Sequence, residues 1–153
     1  MKIGDKIPEV FGLDANGKEI TSAQYAGQPI IIFFYPKDNT SGCTAEACSL
    51  RDYYKELQEM GYALIGVSKD SAASHQKFAE KHSLPFTLIA DVDKTLNQAF
   101  GVWQLKKMCG RESMGTVRTT FITNASHEIS HIINKVDTKN AGQQIVDLLT
   151  NSK

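Results

Sequence analysis

The sequence predicts an α/β fold in which a mixed central β-sheet is flanked by helices on both faces. Strand-like apolar runs alternate with segments of helical spacing along most of the chain, a pattern typical of βαβ units with a parallel sheet. Two late strand-like runs joined by a short turn predict an antiparallel edge. No repeat or linker interrupts the 153 residues, so a single domain is predicted over residues 1–153.

The first predicted elements are a hairpin and a buried strand. In VFGLDANGKEIT (10–21), Asn16 and Gly17 are a strong signal for a tight turn between two short strands. The run IIIFFY (30–35) is continuously β-branched and aromatic, which is typical of a strand that is buried on both faces. Pro36 ends this strand because it has no backbone N–H to donate.

A long helix is predicted next, since apolar residues recur at helical spacing from Thr44 to Met60 and Gly61 is a good helix stop. The same criteria locate the remaining elements. They are a strand at 62–68, a helix at 71–83, a strand at 86–91, a short helix at 94–100, strands at 116–123 and 128–135, and a closing helix at 138–152.

Composition and charge argue against several functions. The chain has 17 Lys plus Arg and 17 Asp plus Glu residues, so there is no basic excess to favour nucleic acid or a membrane surface. The longest apolar run is far shorter than the roughly 20 residues that span a bilayer. The N-terminus lacks the apolar stretch of a signal peptide, so a cytoplasmic location is expected. Cysteine pairs in that compartment are more often catalytic or metal-binding than structural.

Two of the three cysteines lie five positions apart in YPKDNTSGCTAEAC (35–48). Cys43 precedes the helical pattern, so we expect it in the first helical turn, just past the C-terminal end of a parallel strand. Unpaired N–H groups and the positive end of the helix dipole stabilise a thiolate there. The alternative is a small buried residue, a common state of Cys. The loop position and the second thiol favour the reactive form.

Four nearby side chains each have two interpretations. Thr40 offers a hydroxyl near Cys43 or caps the helix, and the two roles are compatible. Pro36 belongs to the site or simply ends the strand. Glu46 accepts a backbone N–H at the helix start or is a solvated surface charge. Arg118 lies on the solvent face of its predicted strand, or it is a fixed cation that favours the thiolate and holds an oxygen-bearing substrate.

The segment FYPKDNTSGCTAEAC resembles the peroxidatic loop of peroxiredoxins, in which Pro, three residues, Thr or Ser, two residues and Cys follow one another. Here that pattern is Pro36, Thr40 and Cys43. The similarity runs from about Gly4 to the C-terminal helix, which is essentially the whole chain. The combined motif is highly specific.

Further residues resemble the bacterioferritin-comigratory, or Q-type, subgroup. A second cysteine at Cys48 and the RD pair at 51–52 are similar to it, and MGTVRTTFIT resembles the segment that carries the subgroup's active-site arginine, here Arg118. One position departs from the pattern, because Ser41 stands where the subgroup usually has Pro. This change removes no chemical group.

The resemblance implies a thioredoxin-like fold with additional N-terminal strands. It implies a peroxidase that reduces hydrogen peroxide and organic hydroperoxides without a metal or other cofactor. Cys43 would then be the peroxidatic nucleophile, with Thr40, Arg118 and the Cys43 N–H holding the peroxide oxygens. Cys48 would resolve the Cys43 sulfenic acid as an intramolecular disulfide, reduced by thioredoxin or a similar dithiol protein. The subgroup is mostly monomeric, with dimers known.

Two other functions remain open on the residues alone. A thioredoxin-like protein disulfide oxidoreductase usually carries C-x-x-C, which is absent here. A non-catalytic redox sensor or metal-binding module is the other alternative. Cys109 lies in KKMCGRES (106–113), which reads as a polar loop with no Cys or His at zinc spacing, and it is expected to be a bystander.

Overall fold

A five-stranded β-sheet lies at the centre of the protein in the computed structural model, which describes residues 1–108 and 110–151. In chain order the strands are β1 (Val10–Leu13), β2 (Glu19–Thr21), β3 (Ile30–Phe34), β4 (Ala63–Ser68), β5 (Thr87–Ala90), β6 (Trp103–Met108), β7 (Arg111–Thr116), β8 (Thr119–Thr123) and β9 (Ile129–Ile133). The helices are α1 (Ser41–Glu59), α2 (Ala72–His82), α3 (Thr95–Ala99) and α4 (Ala141–Asn151).

The strand order of the central sheet is β5-β4-β3-β8-β9. Strand β3 pairs in parallel with β4, and β4 pairs in parallel with β5. On its other side β3 pairs antiparallel with β8, which pairs antiparallel with β9. The predicted mixed sheet with an antiparallel edge is therefore confirmed, and β1 and β2 form the predicted N-terminal hairpin.

Strand β3 is buried on both faces, as its continuous apolar run predicts. Ile31 and Phe33 face a cluster that includes side chains of α1, α2 and α4, whereas Ile32 and Phe34 face the N-terminal hairpin and α3. All five residues of β3 are at most 1% exposed, so the strand lies at the centre of the core. Burial of each such side chain contributes roughly 1.5–3 kcal/mol.

Helix α1 lies against this sheet through an apolar stripe at helical spacing, made by Cys43, Ala47, Leu50 and Leu57. Its outer side meets α4. The Gly142 N–H donates a 3.0 Å hydrogen bond to Ser49 Oγ. A Cβ on Gly142 would lie 2.7 Å from Tyr53 Cβ, so only glycine permits this close approach.

Two local predictions are wrong. The prediction of a polar loop at 106–113 is wrong for residues 106–108 and 111–113, because β6 and β7 make an antiparallel ribbon that includes the Lys107–Glu112 pair. Side chains along β7 are mostly exposed, so the ribbon shows no apolar alternation in the sequence. Arg118 is not inside a strand, since it lies in the link between β7 and β8.

The helix predicted at 138–152 begins with a 3₁₀ turn at Thr138–Asn140, and α4 follows it. Within residues 1–108 and 110–151, no helix combines the length and apolar character that crossing a membrane requires.

Candidate active site

The site lies where β3 ends and α1 begins. Thr40 is the N-cap residue in an extended conformation, and α1 starts at Ser41. Cys43 is the third residue of the helix and is 1% exposed. Its position in the first turn confirms the prediction, and the N–H groups of that turn have no carbonyl one turn earlier to bind. The thiol therefore combines a buried position with the positive end of the helix dipole.

Arg118 reaches this thiol from the link between β7 and β8. Its Nη2 donates to Cys43 Sγ at 3.3 Å, and its Nη1 donates to Glu46 Oε1 at 2.6 Å. The Arg118 side chain is 22% exposed, so it does not lie on the solvent face. The structure instead has the fixed cation beside the thiol, where it favours the thiolate by charge and by hydrogen bonding.

Glu46 is fully buried beneath this arginine, so the interpretation as a surface charge is wrong. The other interpretation is also wrong, because Glu46 accepts from Arg118 and not from a backbone N–H at the helix start. Burial raises the pKa of Glu46 to about 7, although the charge and hydrogen bond of Arg118 act in the opposite direction. No described residue is a hydrogen-bond partner of Glu46 Oε2. The sequence did contain a signal that Glu46 is buried. Glu46 lies three residues after Cys43, on the same side of the helix, and is adjacent to buried Ala47.

Burial also opposes the charge of Arg118, but the Glu46 carboxylate and Cys43 Sγ outweigh burial and raise the pKa of Arg118 above its ordinary value. Gly42 makes room for this guanidinium. A Cβ at Gly42 would lie 3.3 Å from Arg118 Nη2, a tight contact. Sequence reasoning gave Gly42 no role, because only the folded chain brings residue 118 to the first turn of α1.

Further positive charge gathers around the thiol. Lys106 of β6 donates from Nζ to the Thr116 carbonyl at 2.8 Å. Burial lowers the pKa of Lys106, and the charges of Arg118 and Lys69 lower it further, whereas Cys43 acts in the opposite direction. Lys106 is therefore close enough to Cys43 for the two side chains to interact electrostatically.

Thr40 is exposed, and its hydroxyl does not cap the helix. Instead, Oγ1 donates to the Lys37 carbonyl at 2.9 Å. This bond uses the only hydroxyl proton, so the lone pairs of Oγ1 remain available to accept a hydrogen bond. Pro36 is half-buried in the same loop, one residue before Lys37.

Cys48 is half-buried on α1, five residues beyond Cys43, and both are free thiols. Cys109, which is predicted to be a bystander, lies outside the described residues. In the part of the chain that the structure describes, no three His, Cys, Asp or Glu side chains are arranged to hold a metal ion.

Comparisons of the sequence with known proteins agree with this geometry. The profile of the AhpC/TSA family matches residues 3–132. The chain is 42% identical to Peroxiredoxin Bcp of Bacillus subtilis over 139 residues, which is 91% of this chain and 88% of that relative. It is 35% identical to Peroxiredoxin Bcp of Escherichia coli over 149 residues, 97% of this chain and 96% of that relative.

Solved structures give the same result. The bacterioferritin comigratory protein of Xanthomonas campestris, whose structures address its alkyl peroxide reduction activity, matches with a TM-score of 0.88 and 28% identity, covering 99% of both chains. Peroxidoxin BcpB of Mycobacterium tuberculosis matches with a TM-score of 0.84 and 29% identity over 100% of this chain and 99% of that one. This likeness confirms the predicted thioredoxin-like fold.

The buried carboxylate leads to a prediction about stability and pH. A folded-state pKa of about 7, above the ordinary 4.5, means that Glu46 stabilises the fold most below pH 4.5 and loses this contribution as pH rises through 7. Glu46→Gln does not titrate. Relative to this variant, the wild type should lose at most about 3 kcal/mol of unfolding free energy over that window, since a tenfold change in an ionisation constant is worth about 1.4 kcal/mol.

Urea unfolding at several pH values measures this difference. Glu56→Gln, at an exposed position of the same helix, is the control for removing one carboxylate. If the difference in unfolding free energy between wild type and Glu46→Gln stays constant from pH 4.5 to 7, the raised pKa of Glu46 is contradicted.

Proposed function

Because the chain belongs to the AhpC/TSA family, we propose that Cys43 is the nucleophile of its peroxidase reaction. The protein is a peroxiredoxin, a thiol peroxidase that acts on hydroperoxides. One observation above all supports the residue assignment, the 3.3 Å hydrogen bond from Arg118 Nη2 to Cys43 Sγ at the start of α1. It joins a thiol at a helix N-terminus to a cation that can also hold an oxygen substrate.

In the first step the Cys43 thiolate attacks the terminal oxygen of the hydroperoxide. An S–O bond forms, the O–O bond breaks, and the departing oxygen takes a proton to leave as water or an alcohol. The thiolate loses two electrons and becomes a sulfenic acid, while the peroxide is reduced. No metal or other cofactor enters this sequence.

Three groups are proposed to align the peroxide. Thr40 Oγ1 has lone pairs available to accept from the peroxide O–H, since its own proton is donated to Lys37. The Arg118 guanidinium and the Cys43 backbone N–H donate to the two oxygens. Negative charge moves onto the departing oxygen as the O–O bond breaks, and fixed donors stabilise that charge most in the transition state.

Cys48 is proposed to resolve the sulfenic acid. Its sulfur attacks Cys43 Sγ, an S–S bond forms, and the hydroxyl leaves as water. In a regular helix, residues five apart are separated by roughly 8.7 Å between Cα atoms, from a rise of about 7.5 Å and a rotation of about 500°. A disulfide needs less than about 7 Å. The first turns of α1 must therefore unwind before the disulfide can form.

The contact between α1 and α4 marks where unwinding stops. Ser49 accepts the Gly142 N–H, and Tyr53 packs on Gly142 while its hydroxyl donates to Gln143 at 2.6 Å. Residues 41–48 precede these anchors, and openings at helix ends lie well below global unfolding in free energy. The opened disulfide is then accessible to a dithiol reductant.

Thioredoxin or a similar dithiol protein is the proposed reductant, and thiol–disulfide exchange returns both cysteines to thiols. We also propose that residues 1–153 act as one domain, as a monomer in the cytoplasm, with a dimer as the alternative. A thioredoxin-like disulfide oxidoreductase has no comparable support, since the two thiols lie five positions apart on one helix.

Replacing the nucleophile is the direct test of the proposed function. Cys43→Ser should abolish peroxide consumption in the presence of a thioredoxin system while the protein stays folded, because no thiolate remains at the helix start. Cys48→Ser should still oxidise Cys43 once per molecule but form no Cys43–Cys48 disulfide. Cys109→Ser should keep full turnover. Substantial peroxidase activity in Cys43→Ser would contradict the assignment of Cys43 as the nucleophile.

Arg118→Ala should slow Cys43 oxidation by roughly a hundredfold or more, the usual cost of losing one transition-state donor. The fraction of Cys43 present as thiolate at a given pH should also fall, because a cation beside the sulfur is lost. Stopped-flow oxidation by hydrogen peroxide and ultraviolet absorbance of the thiolate measure the two effects. Arg111→Ala, at an exposed position of β7, is the matched control, and equal rates in both variants would contradict the role of Arg118.

Amide hydrogen exchange tests the unwinding step. In the disulfide form, protection should be lost over residues 41–48 and retained over residues 49–59, which follow the anchors on α4. The reduced protein is the reference. Equal protection of residues 41–48 in both forms would mean that the helix never opens.

A further inference from the structure

A buried polar network lies behind the loop that joins β3 to α1, and the proposed chemistry does not use it. At its centre is Asp38, which is 4% exposed and stands two residues before Thr40. Three donors meet its carboxylate: the Tyr35 hydroxyl at 2.7 Å, the Ser74 hydroxyl at 2.8 Å and His75 Nδ1 at 2.8 Å. Asp38 thus ties the loop to α2.

The ring of His75 is held by a partner on each of its two nitrogens. Its Nε2 lies 3.0 Å from the Ile89 carbonyl, which can only accept, so Nε2 carries a proton. On the other side of the ring, Nδ1 lies 2.8 Å from Asp38 Oδ2. Burial opposes ionisation of Asp38, but the hydrogen bond and charge of His75, with the Tyr35 and Ser74 hydroxyls, outweigh it and lower the pKa of Asp38.

Tyr35 acts only as a donor in this network. Burial, followed by the charge and hydrogen bond of Asp38, raises the pKa of Tyr35 well above its ordinary value. The hydroxyl therefore keeps its proton and donates it to Asp38. Together the donors hold Asp38 from three directions, which restricts its side chain to one position.

The same loop is held a second time through its backbone. The Asp38 N–H donates to Asp70 Oδ2 at 2.8 Å, and Asp70 Oδ2 also accepts from Ser68 Oγ at 2.6 Å. The carbonyl of that same peptide unit belongs to Lys37, and it accepts the Thr40 hydroxyl at 2.9 Å. Since a peptide unit is planar and rigid, fixing its N–H end also fixes its C=O end.

This peptide controls the direction of the Thr40 hydroxyl proton. Between the peptide and Thr40 stands Asn39, whose φ of 62° is a left-handed conformation that costs energy for a residue other than glycine. Without anchors, the backbone would gain by leaving this conformation. The hydroxyl would then lose its fixed acceptor, and its lone pairs would no longer point in one direction.

We propose that Asp38, held by His75, and Asp70 are positioning residues for peroxide reduction, acting through the Lys37–Asp38 peptide on the Thr40 hydroxyl. This inference rests on the proposed function of Thr40 and Cys43. Neither aspartate touches the substrate. Their contribution is to keep the Thr40 proton on the Lys37 carbonyl, so that the oxygen accepts from the peroxide O–H.

A positioning role makes a distinctive prediction for two reactions of the same thiol. Reaction with hydrogen peroxide needs the Thr40 oxygen, whereas alkylation by iodoacetamide needs only an accessible thiolate. Asp38→Asn and Asp70→Ala should each slow single-turnover oxidation of Cys43 by roughly 10- to 100-fold, the range expected for a misplacement of up to 1 Å. The rate of Cys43 alkylation in the same variants should not fall below the wild-type value.

A double-mutant cycle tests whether the effect passes through Thr40. In a Thr40→Val background the hydroxyl is absent, so Asp38→Asn should cause no further loss of oxidation rate. If Asp38→Asn slows oxidation by the same factor with and without the Thr40 hydroxyl, the proposal is overturned. Equal slowing of oxidation and alkylation in Asp38→Asn or Asp70→Ala would also overturn it.

Asp91→Asn is the matched control, since Asp91 is a buried carboxylate whose oxygens accept from the Leu96 and Asn97 N–H groups of α3 and not from the loop. It should lower the melting temperature without lowering the oxidation rate. If Asp38→Asn does not fold, the test rests on Asp70→Ala alone. A wild-type rate of Cys43 oxidation in Asp70→Ala would then refute the proposal. A wild-type protein whose Cys43 does not react with peroxide would instead refute the proposed function.

Discussion

The guanidinium of Arg118 joins two parts of the chain that lie 75 residues apart, and the arrangement of the site depends on it. One of its nitrogens meets the Cys43 sulfur and the other meets the Glu46 carboxylate. The antiparallel pairing of β3 with β8 makes this contact possible. In that register Phe34 lies opposite Thr119, so Arg118 stands beside the end of β3, where the loop toward Cys43 begins.

In the proposed reaction, helix α1 must satisfy two opposite requirements. Its first turn has to be ordered so that the N–H groups and dipole can act on a thiol that is almost fully buried in the core. The same turn has to open if Cys43 and Cys48 are to meet. The contacts of α4 with Ser49 and Tyr53 make both requirements compatible. They hold the later turns of α1 in place, whereas the first turns precede these contacts and are free to unwind in the proposed reaction.

Two buried carboxylates hold the loop and the helix start. Glu46 acts from within α1 and holds the arginine over the thiol. Asp38 acts from the loop and ties it to His75 of α2, with both side chains at most 1% exposed. Buried ion pairs contribute little net stability in general, because desolvation offsets the attraction between the charges. Their value here lies in geometry, since the Glu46 pair fixes Arg118 beside the sulfur and the Asp38 pair fixes the loop that precedes the helix.

The sequence by itself determined the features that depend on local spacing. The buried run of β3, the helical stripe of α1 and the position of Cys43 in the first turn all follow from neighbours a few residues away. The ribbon of β6 and β7 was missed because its exposed strands bury too little to leave an apolar period. Only the tertiary structure decided that Arg118 meets Cys43 and Glu46, and that Asp38 meets His75 across 37 positions. These contacts depend on how strands pair and helices pack. No short-range sequence pattern encodes a contact between residues so far apart in the chain.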